Sequence, residues 1–180
     1  SHTHLQFEFA DGGPRVFFRD VRKFGKVAWF PPGEKDPRLA KLGPDALEIT
    51  GDQLAKALVG RKLAIKSLLL NQSVLAGVGN IYADEALFHA GIDPRRSGSD
   101  LSPRECKALI KAVKRVLRRS IETGGSSISD YINPDGADGQ FQDERCVYGL
   151  TGQPCSTCQS PIKRVRQGQR STHFCPTCQN

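Results

Sequence analysis

The sequence predicts an α+β protein in which antiparallel strands come first, helices follow, and a metal-bound hairpin ends the chain. Three patterns support this order. Apolar residues alternate with polar ones near the N terminus, helix-capping pairs occur in the middle, and two Cys-x-x-Cys pairs lie near the C terminus. With 180 residues, 38% of them hydrophobic, the chain can bury a core, which excludes wholesale disorder.

Strands are predicted at 5–9, 15–19 and 26–30. Leu5, Phe7 and Phe9 alternate with polar residues, and the Asp-Gly-Gly turn at 11–13 is typical of a hairpin. The sequence contains no methionine and opens inside a strand. We therefore expect it to be part of a longer protein whose preceding strands join the same sheet. Residues 33–49 are predicted to be a linker.

Four helices follow this linker. Thr50 and Gln53 form a capping box for a helix at 50–59, and a second helix is predicted at 64–72. A third runs from near Asn80 to 90, where Gly91 ends it. A fourth runs from 103 to about 122, with Ser102 and Glu105 as its capping pair and Pro103 in its first turn. The fourth helix has a predicted buried stripe of Cys106, Leu109, Ile110, Val113, Leu117 and Ile121, and a basic stripe of Lys107, Lys111, Lys114 and Arg118, which is typical of solvated surface.

Charge is distributed unevenly along the chain. Lys and Arg outnumber Asp and Glu by 26 to 19, and the excess lies on both sides of an acidic segment at 120–143. This pattern favours an anionic partner, with solvated surface as the alternative. Within the acidic segment, the Gly- and Ser-rich stretch 124–140 predicts a functional or disordered loop. Residues 146–148 resemble a strand. No apolar run is long enough to span a membrane, and no signal peptide is visible.

The four C-terminal cysteines predict a structural zinc site. Cys155 and Cys158 form one pair, Cys175 and Cys178 form the other, and 16 residues separate the pairs. Disulfides or redox-active pairs are the alternative, but the sequence shows no secretory signal, which argues against disulfides. Four thiolates close a tetrahedral shell, so we expect this zinc to stabilise the fold without taking part in chemistry. A hairpin between the pairs places Arg170 at or near its tip, where it suits a phosphate.

Two loops are candidate binding elements. Gly77-Val78-Gly79-Asn80 precedes a helix, so its glycines and the free N–H groups of the helix suit an anion. Asn80 is either a structural cap of that helix or a phosphate ligand. The loop Arg22-Lys23-Phe24-Gly25 carries Phe24, which is either a core residue or a wedge that enters a base stack.

Taken together, these motifs resemble bacterial formamidopyrimidine-DNA glycosylase. The resemblance comprises residues 22–25, Gly77 to Glu85, Tyr148-Gly149 and the tail Thr172 to Gln179, in that order. It implies an enzyme that flips and excises oxidised purines such as 8-oxoguanine and formamidopyrimidines from duplex DNA, then nicks the strand by β,δ-elimination. It also implies a monomer in the bacterial cytoplasm, associated with the nucleoid, with double-stranded DNA as its partner and no membrane.

The resemblance also implies domains and residue roles. Residues 1–32 would end a β-sandwich, 50–143 would form a helix–two-turns–helix domain with a base-capping loop at 124–140, and 144–180 a zinc finger. Arg170 would assist the final elimination and Arg22 would pair with the orphaned cytosine, with Phe24 as the wedge. The positions that match DNA-contacting residues are His2, Arg22, Phe24, Arg61, Lys66, Asn80 and Arg170.

One departure from the family is important. Its nucleophile is an N-terminal proline followed by a glutamate, and neither is at the start of this sequence. The reaction needs a secondary amine and a proton-transferring acid, so we expect the chain by itself to bind DNA without turnover. The alternatives are a relative of endonuclease VIII that acts on oxidised pyrimidines, and a non-catalytic damage-binding module.

Overall fold

The computed structural model describes residues 2–126 and 139–180 and divides the chain into two compact units, Ser1–Pro37 and Arg38–Asn180. Most of the predicted base-capping loop, residues 127–138, lies outside the described residues. Within the described part of the chain, no helix is long and apolar enough to cross a membrane.

The first unit contains one antiparallel hairpin. Strand β1 (Thr3–Phe7) pairs with β2 (Val16–Arg19), with Phe7 opposite Val16, and Gly12 takes a positive φ of 76° in the turn between them. The predicted strand at 26–30 is wrong: that segment is irregular. Apolar and polar residues do alternate there, but a strand also needs a neighbouring strand for its backbone hydrogen bonds. No such strand lies beside it among the described residues.

Large apolar side chains of this first unit remain exposed. The exposed fraction is 52% for Phe17 and 81% for Trp29. An isolated two-stranded hairpin is only marginally stable because it buries so little apolar surface.

The second unit begins with four helices, as the sequence predicts. They are α1 (Gly51–Leu58), α2 (Ile65–Leu69), α3 (Asn80–Ala90) and α4 (Pro103–Glu122). Capping boxes start α1 and α4, and Gly91 ends α3 with a φ of 70°. Helix α2 is shorter than predicted because Asn71 turns the chain: its side-chain oxygen accepts a hydrogen bond from the Ser73 N–H at 3.0 Å.

The core of this unit lies where α1 and α3 pack on α4. Leu54, Leu87, Leu109 and Val113 are among its fully buried residues. The prediction of a buried Ile121 is wrong, since that side chain is 67% exposed. In the last turn of α4 the inward position is taken by Ser120, whose hydroxyl donates to Tyr82 Oη at 2.7 Å.

The predicted linker 33–49 divides at Pro37. From Arg38 onwards the chain belongs to the second unit, where two short 3-10 helices, Leu39–Lys41 and Gly98–Asp100, also lie. Ala46 and Ile49 are buried in the core, and the Ala46 N–H donates to the Ala76 carbonyl at 2.9 Å. This part of the segment is therefore integral to the helical layer.

A hairpin completes the second unit. After a 3-10 turn at Phe141–Glu144, β3 (Lys163–Gln167) pairs antiparallel with β4 (Arg170–Phe174), and Arg164 lies opposite His173. The predicted strand at 146–148 is wrong. The backbone N–H groups of that segment bond to a side chain instead, so they are not available to a neighbouring strand.

The difference between the buried and exposed positions of α4 can be tested by truncation. We expect Leu109→Ala to lower the free energy of unfolding by about 2–5 kcal/mol, because it leaves a cavity in the core. The matched change Ile121→Ala should cost no more than about 0.5 kcal/mol. Urea unfolding of both variants measures this, and equal losses would contradict the observed orientation of α4.

Candidate nucleic-acid interface and metal centre

The four C-terminal cysteines converge on one point. Their sulfurs all lie within 4.8 Å of one another, with 3.3 Å between Cys158 and Cys175 and 3.9 Å between Cys155 and Cys178. These distances are much longer than a disulfide bond. They bracket the edge of about 3.8 Å expected for a tetrahedron of sulfurs around zinc. The site therefore fits one structural Zn²⁺, as the sequence predicts.

Backbone N–H groups stabilise the thiolates of this centre. The N–H of Thr157 donates to Cys155 Sγ and that of Cys178 donates to Cys175 Sγ, both at 3.4 Å. All four ligand positions of the metal are filled by cysteine, so no position is open for water or substrate. The metal thus holds together the ends of the hairpin and performs no chemistry.

The turn before α3 is held by a side chain that the sequence analysis missed. Gln72 accepts a hydrogen bond from the Gly77 N–H at 2.9 Å and donates to the Val78 carbonyl at 3.1 Å. Gly77 takes a φ of 96°, which favours glycine. The sequence shows a glutamine shortly before a glycine-rich turn, but that pattern does not by itself indicate this role.

Asn80 is the first residue of α3, and the cap position before it is Gly79. Among the described residues no side chain caps this helix start, so the interpretation of Asn80 as a structural cap is wrong. Its Nδ2 donates to the Tyr148 hydroxyl at 3.4 Å, and its Oδ1 is buried without a hydrogen-bond partner among the described residues. Because the first N–H groups and the positive end of the helix dipole are uncapped, this point suits an anion.

Lys66 is buried and joins α2 to the hairpin. Its ammonium lies 2.8 Å from Asp84 Oδ1 and donates to the Ser171 carbonyl at 2.6 Å and to Thr172 Oγ1 at 3.0 Å. The ammonium therefore makes two hydrogen bonds to the hairpin and one ion pair to α3. Burial lowers the pKa of Lys66, and the Asp84 carboxylate opposes that shift. The predicted phosphate contact of Lys66 stays a prediction, and the structure gives this side chain a structural role as well.

Asp84 contacts the hairpin a second time through its other oxygen. Oδ2 accepts from the His173 backbone N–H at 2.8 Å and lies 3.4 Å from the His173 ring. That ring packs edge-on against Tyr148 with 4.7 Å between centroids. A continuous chain of contacts therefore runs from Asn80 at the helix start, through Tyr148 and His173, to the Lys66 pair.

Glu85, the next residue on α3, holds the segment that leads to the zinc site. Its carboxylate accepts the backbone N–H groups of Cys146, Val147 and Tyr148 at 2.8, 3.0 and 2.8 Å. Burial raises the pKa of Glu85, and these three hydrogen bonds oppose that shift. The sequence showed an acidic pair at 84 and 85 but gave no sign that each side chain holds a different segment.

Arg170 begins β4 at the tip of the hairpin and is exposed. Lys66 donates to the carbonyl of Ser171, the residue after Arg170, so the two cations lie near each other. Burial is the main cause of the lowered pKa of Lys66, and the charge of Arg170 adds to it. Arg61 is also exposed, but its Nε donates to the Ala57 carbonyl at 2.7 Å and it makes no hydrogen bond to Lys66, Asn80 or Arg170 among the described residues. Arg170 therefore lies near Lys66, and the contacts of Tyr148 and His173 link Asn80 to the Lys66 pair.

The first unit presents Phe24 to solvent. Its side chain is 74% exposed, so the interpretation of Phe24 as a core residue is wrong. The Arg22 guanidinium lies 4.8 Å from the centre of the Phe24 ring. Asp20 accepts the N–H groups of Arg22 and Gly25, and these bonds, Gly25 first, lower the pKa of Asp20. His2 is also exposed, with a φ of 64°.

Two family descriptions match the second unit. Residues 42–132 match "Formamidopyrimidine-DNA glycosylase H2TH domain", and residues 152–180 match "Zinc finger found in FPG and IleRS". A formamidopyrimidine-DNA glycosylase of Solibacter usitatus is 48% identical over 179 residues, which are 99% of this chain and 66% of that relative. The chain belongs to the formamidopyrimidine-DNA glycosylase family.

Solved structures of this family have the same fold. The MutM (Fpg) protein of Thermus thermophilus superposes with a TM-score of 0.87 at 39% identity, covering 99% of this chain and 68% of that one. Lactococcus lactis Fpg in complex with DNA containing an abasic site gives 0.83 at 35% identity, covering 99% and 66%. The chain thus spans about two thirds of the length of the family members it matches.

Metal removal should disorder the hairpin. We expect a chelator or Cys175→Ser to release zinc and to expose the amides of 163–174 to hydrogen exchange, because few apolar contacts remain to order them. Cys146→Ser is the matched control, since Cys146 is not a ligand. Zinc retained by Cys175→Ser, or lost from Cys146→Ser, would contradict the assigned ligand set.

The buried ion pair should show strong coupling in a double-mutant cycle. Lys66→Met leaves the Asp84 carboxylate without its cation, and we expect a loss of about 3–5 kcal/mol in the free energy of unfolding. Adding Asp84→Asn should recover part of that loss, because no buried charge is then unpaired. Additive losses in chemical denaturation would mean that the two side chains do not interact.

Proposed function

We propose that the chain is the DNA-binding part of a bifunctional DNA glycosylase and AP lyase that removes oxidised purines from duplex DNA. The observation that carries the proposal is the arrangement at the start of α3. There the uncapped N–H groups, Asn80 and the Arg170 hairpin lie on one rigid assembly held by Lys66 and Asp84. Membership of the formamidopyrimidine-DNA glycosylase family supports the same proposal.

Phosphates of the damaged strand are the ligands that this arrangement suits best. The helix start supplies N–H donors and a positive partial charge. Arg170 supplies planar donors that match phosphate geometry, and Arg61 adds a further cation. Since these groups hold the backbone and do not read bases, they position the strand without selecting a sequence.

Base extrusion is proposed for the first unit. Phe24 is exposed and Arg22 stacks on its ring, so this loop can place an aromatic wedge and a cation together in a base stack. In this proposal Arg22 pairs with the cytosine that loses its partner. His2 makes an additional contact with DNA.

Catalysis requires groups beyond those on the described surface. Attack on the sugar needs a secondary amine, and proton transfer needs an acid next to it. We propose that an N-terminal proline and glutamate of the whole protein supply them, and that Arg170 assists the last elimination. The chain itself then binds damaged DNA without excising a base.

A charge change at Asn80 tests the phosphate site. We expect Asn80→Asp to weaken binding to a duplex with an abasic-site analogue by tenfold or more, because it places an anion against phosphate. The fold should be retained, since aspartate in the first turn favours a helix. Fluorescence anisotropy measures binding, and thermal unfolding checks the fold. Gln153→Glu, an exposed change of the same charge, should bind normally. Normal binding by Asn80→Asp would refute the site.

Borohydride trapping tests the missing nucleophile. With an abasic-site duplex we expect binding but no covalent adduct at the mass of this chain, because it offers no N-terminal proline. A longer protein that begins with Pro-Glu should form the adduct and should excise 8-oxoguanine faster than thymine glycol. An adduct on this chain would show that another amine acts, and faster thymine glycol excision would favour the pyrimidine-directed alternative.

A further inference from the structure

A basic groove along α4 has no role in the function proposed above. It has a volume of about 910 Å³ and is lined by α4, the start of α1 and His89 near the end of α3. The row Lys107, Lys111, Lys114 and Arg118 follows it at spacings of three or four residues, which places these side chains on one face of the helix.

Most of this positive charge is uncompensated. Lys107 pairs with Asp52 at 3.1 Å, but Lys111, Lys114, Arg115 and Arg118 have no ion pair among the described residues. Glu122 is the acidic side chain of the groove, and it pairs with Arg119 at 3.2 Å. Like charges at these spacings destabilise a helix, and a bound polyanion would remove that repulsion.

The groove and the predicted phosphate site differ in position along α1 and α3 and in the face of α4. Ser120, which bonds to Tyr82 near the start of α3, is only two residues from Arg118, but the row from Lys107 to Arg118 lies about 120–180° from Ser120 around the α4 axis. Asn80 starts α3, whereas His89 of the groove is near its end, and an 11-residue helix is about 15 Å long. Likewise Thr50 at the start of α1 lines the groove, whereas Arg61 follows the end of α1. A phosphate held at Asn80 is therefore not one that the α4 row contacts.

The chemistry of the groove favours phosphates over an acidic peptide. Its large apolar members Ile49 and Ile110 are at most 4% exposed, and its other apolar members are Ala108 and Ala112, so they offer no pocket for an apolar anchor side chain. The row from Lys107 to Arg118 is about 16 Å long, which is about five nucleotide steps of one strand at 3.4 Å each. Duplex DNA presents such a row of anions regardless of sequence.

We propose that the α4 groove is a second, sequence-independent binding site for the phosphate backbone of duplex DNA. The protein then holds an undamaged segment there while a damaged segment occupies the Asn80 site. This proposal rests on the proposed function in one respect only, because that function identifies the ligand of the Asn80 site as damaged DNA. Two separate DNA sites allow the protein to pass from one segment to another without leaving DNA.

The test uses a donor-labelled duplex with an abasic-site analogue and an acceptor-labelled undamaged duplex. At low salt we expect the chain to bring the two together, giving energy transfer. The triple variant Lys111→Gln, Lys114→Gln, Arg118→Gln should bind the abasic duplex as before but lose affinity for the second duplex by tenfold or more. Its slope of log affinity against log salt at that site should fall by about three.

The matched control removes three exposed lysines elsewhere, as Lys35→Gln, Lys41→Gln, Lys56→Gln. This control variant should bind both duplexes with the affinity of the wild type. Equal losses in the two triple variants would show that net charge alone acts, and would overturn the proposal. Wild-type protein that binds only one duplex even at the lowest salt would also overturn the proposal. The same holds if the groove binds a glutamate-rich peptide but no second duplex.

The two proposals fail in different ways. A chain that binds undamaged duplex through the α4 row, with no preference for the abasic duplex, contradicts the proposed function and supports the groove. A chain that prefers the abasic duplex and never binds a second one contradicts the groove and supports the proposed function.

Discussion

An ammonium and a carboxylate, Lys66 and Asp84, lie buried where the helical layer meets the C-terminal hairpin. Removing either charge from water carries a large desolvation cost, which is recovered only when the pair and its hydrogen bonds are complete. Lys66 donates two hydrogen bonds to the hairpin, and Asp84 faces Lys66 through Oδ1 and accepts the His173 N–H through Oδ2. The position of the hairpin on the helices depends on this contact, because small shifts would leave a charge unpaired.

Zinc and Glu85 complement the ion pair from the other side of the hairpin. The metal joins the chain before β3 to the chain after β4, and Glu85 holds the segment that leads into the metal site. Neither could replace the other. The metal orders the hairpin internally, whereas the two acidic residues of α3 attach it to the helices. Together they attach the hairpin that carries Arg170 to the helix that begins at Asn80.

The sequence predicted elements well where the determining contacts are local. The capping boxes at Thr50 and Ser102, the glycine after α3 and the paired cysteines each specify structure within a few residues, and the structure has them as expected. Contacts between distant segments could not be predicted. Glu85 bonds to a segment about 60 residues away, and this bond makes irregular what looked like a strand. The pattern at 26–30 likewise could not reveal whether a partner strand was present.

Asp84 and Glu85 are consecutive, so their side chains leave α3 about 100° apart around its axis. One is fixed to β4 and the other to the segment before the zinc site. Two attachments at different angles define the rotation of the helix about its own axis, which one attachment would leave free. That rotation in turn sets the direction of Asn80 at the helix start. A substitution that turns α3, even far from its first residue, would therefore misdirect the side chain that we propose contacts a phosphate.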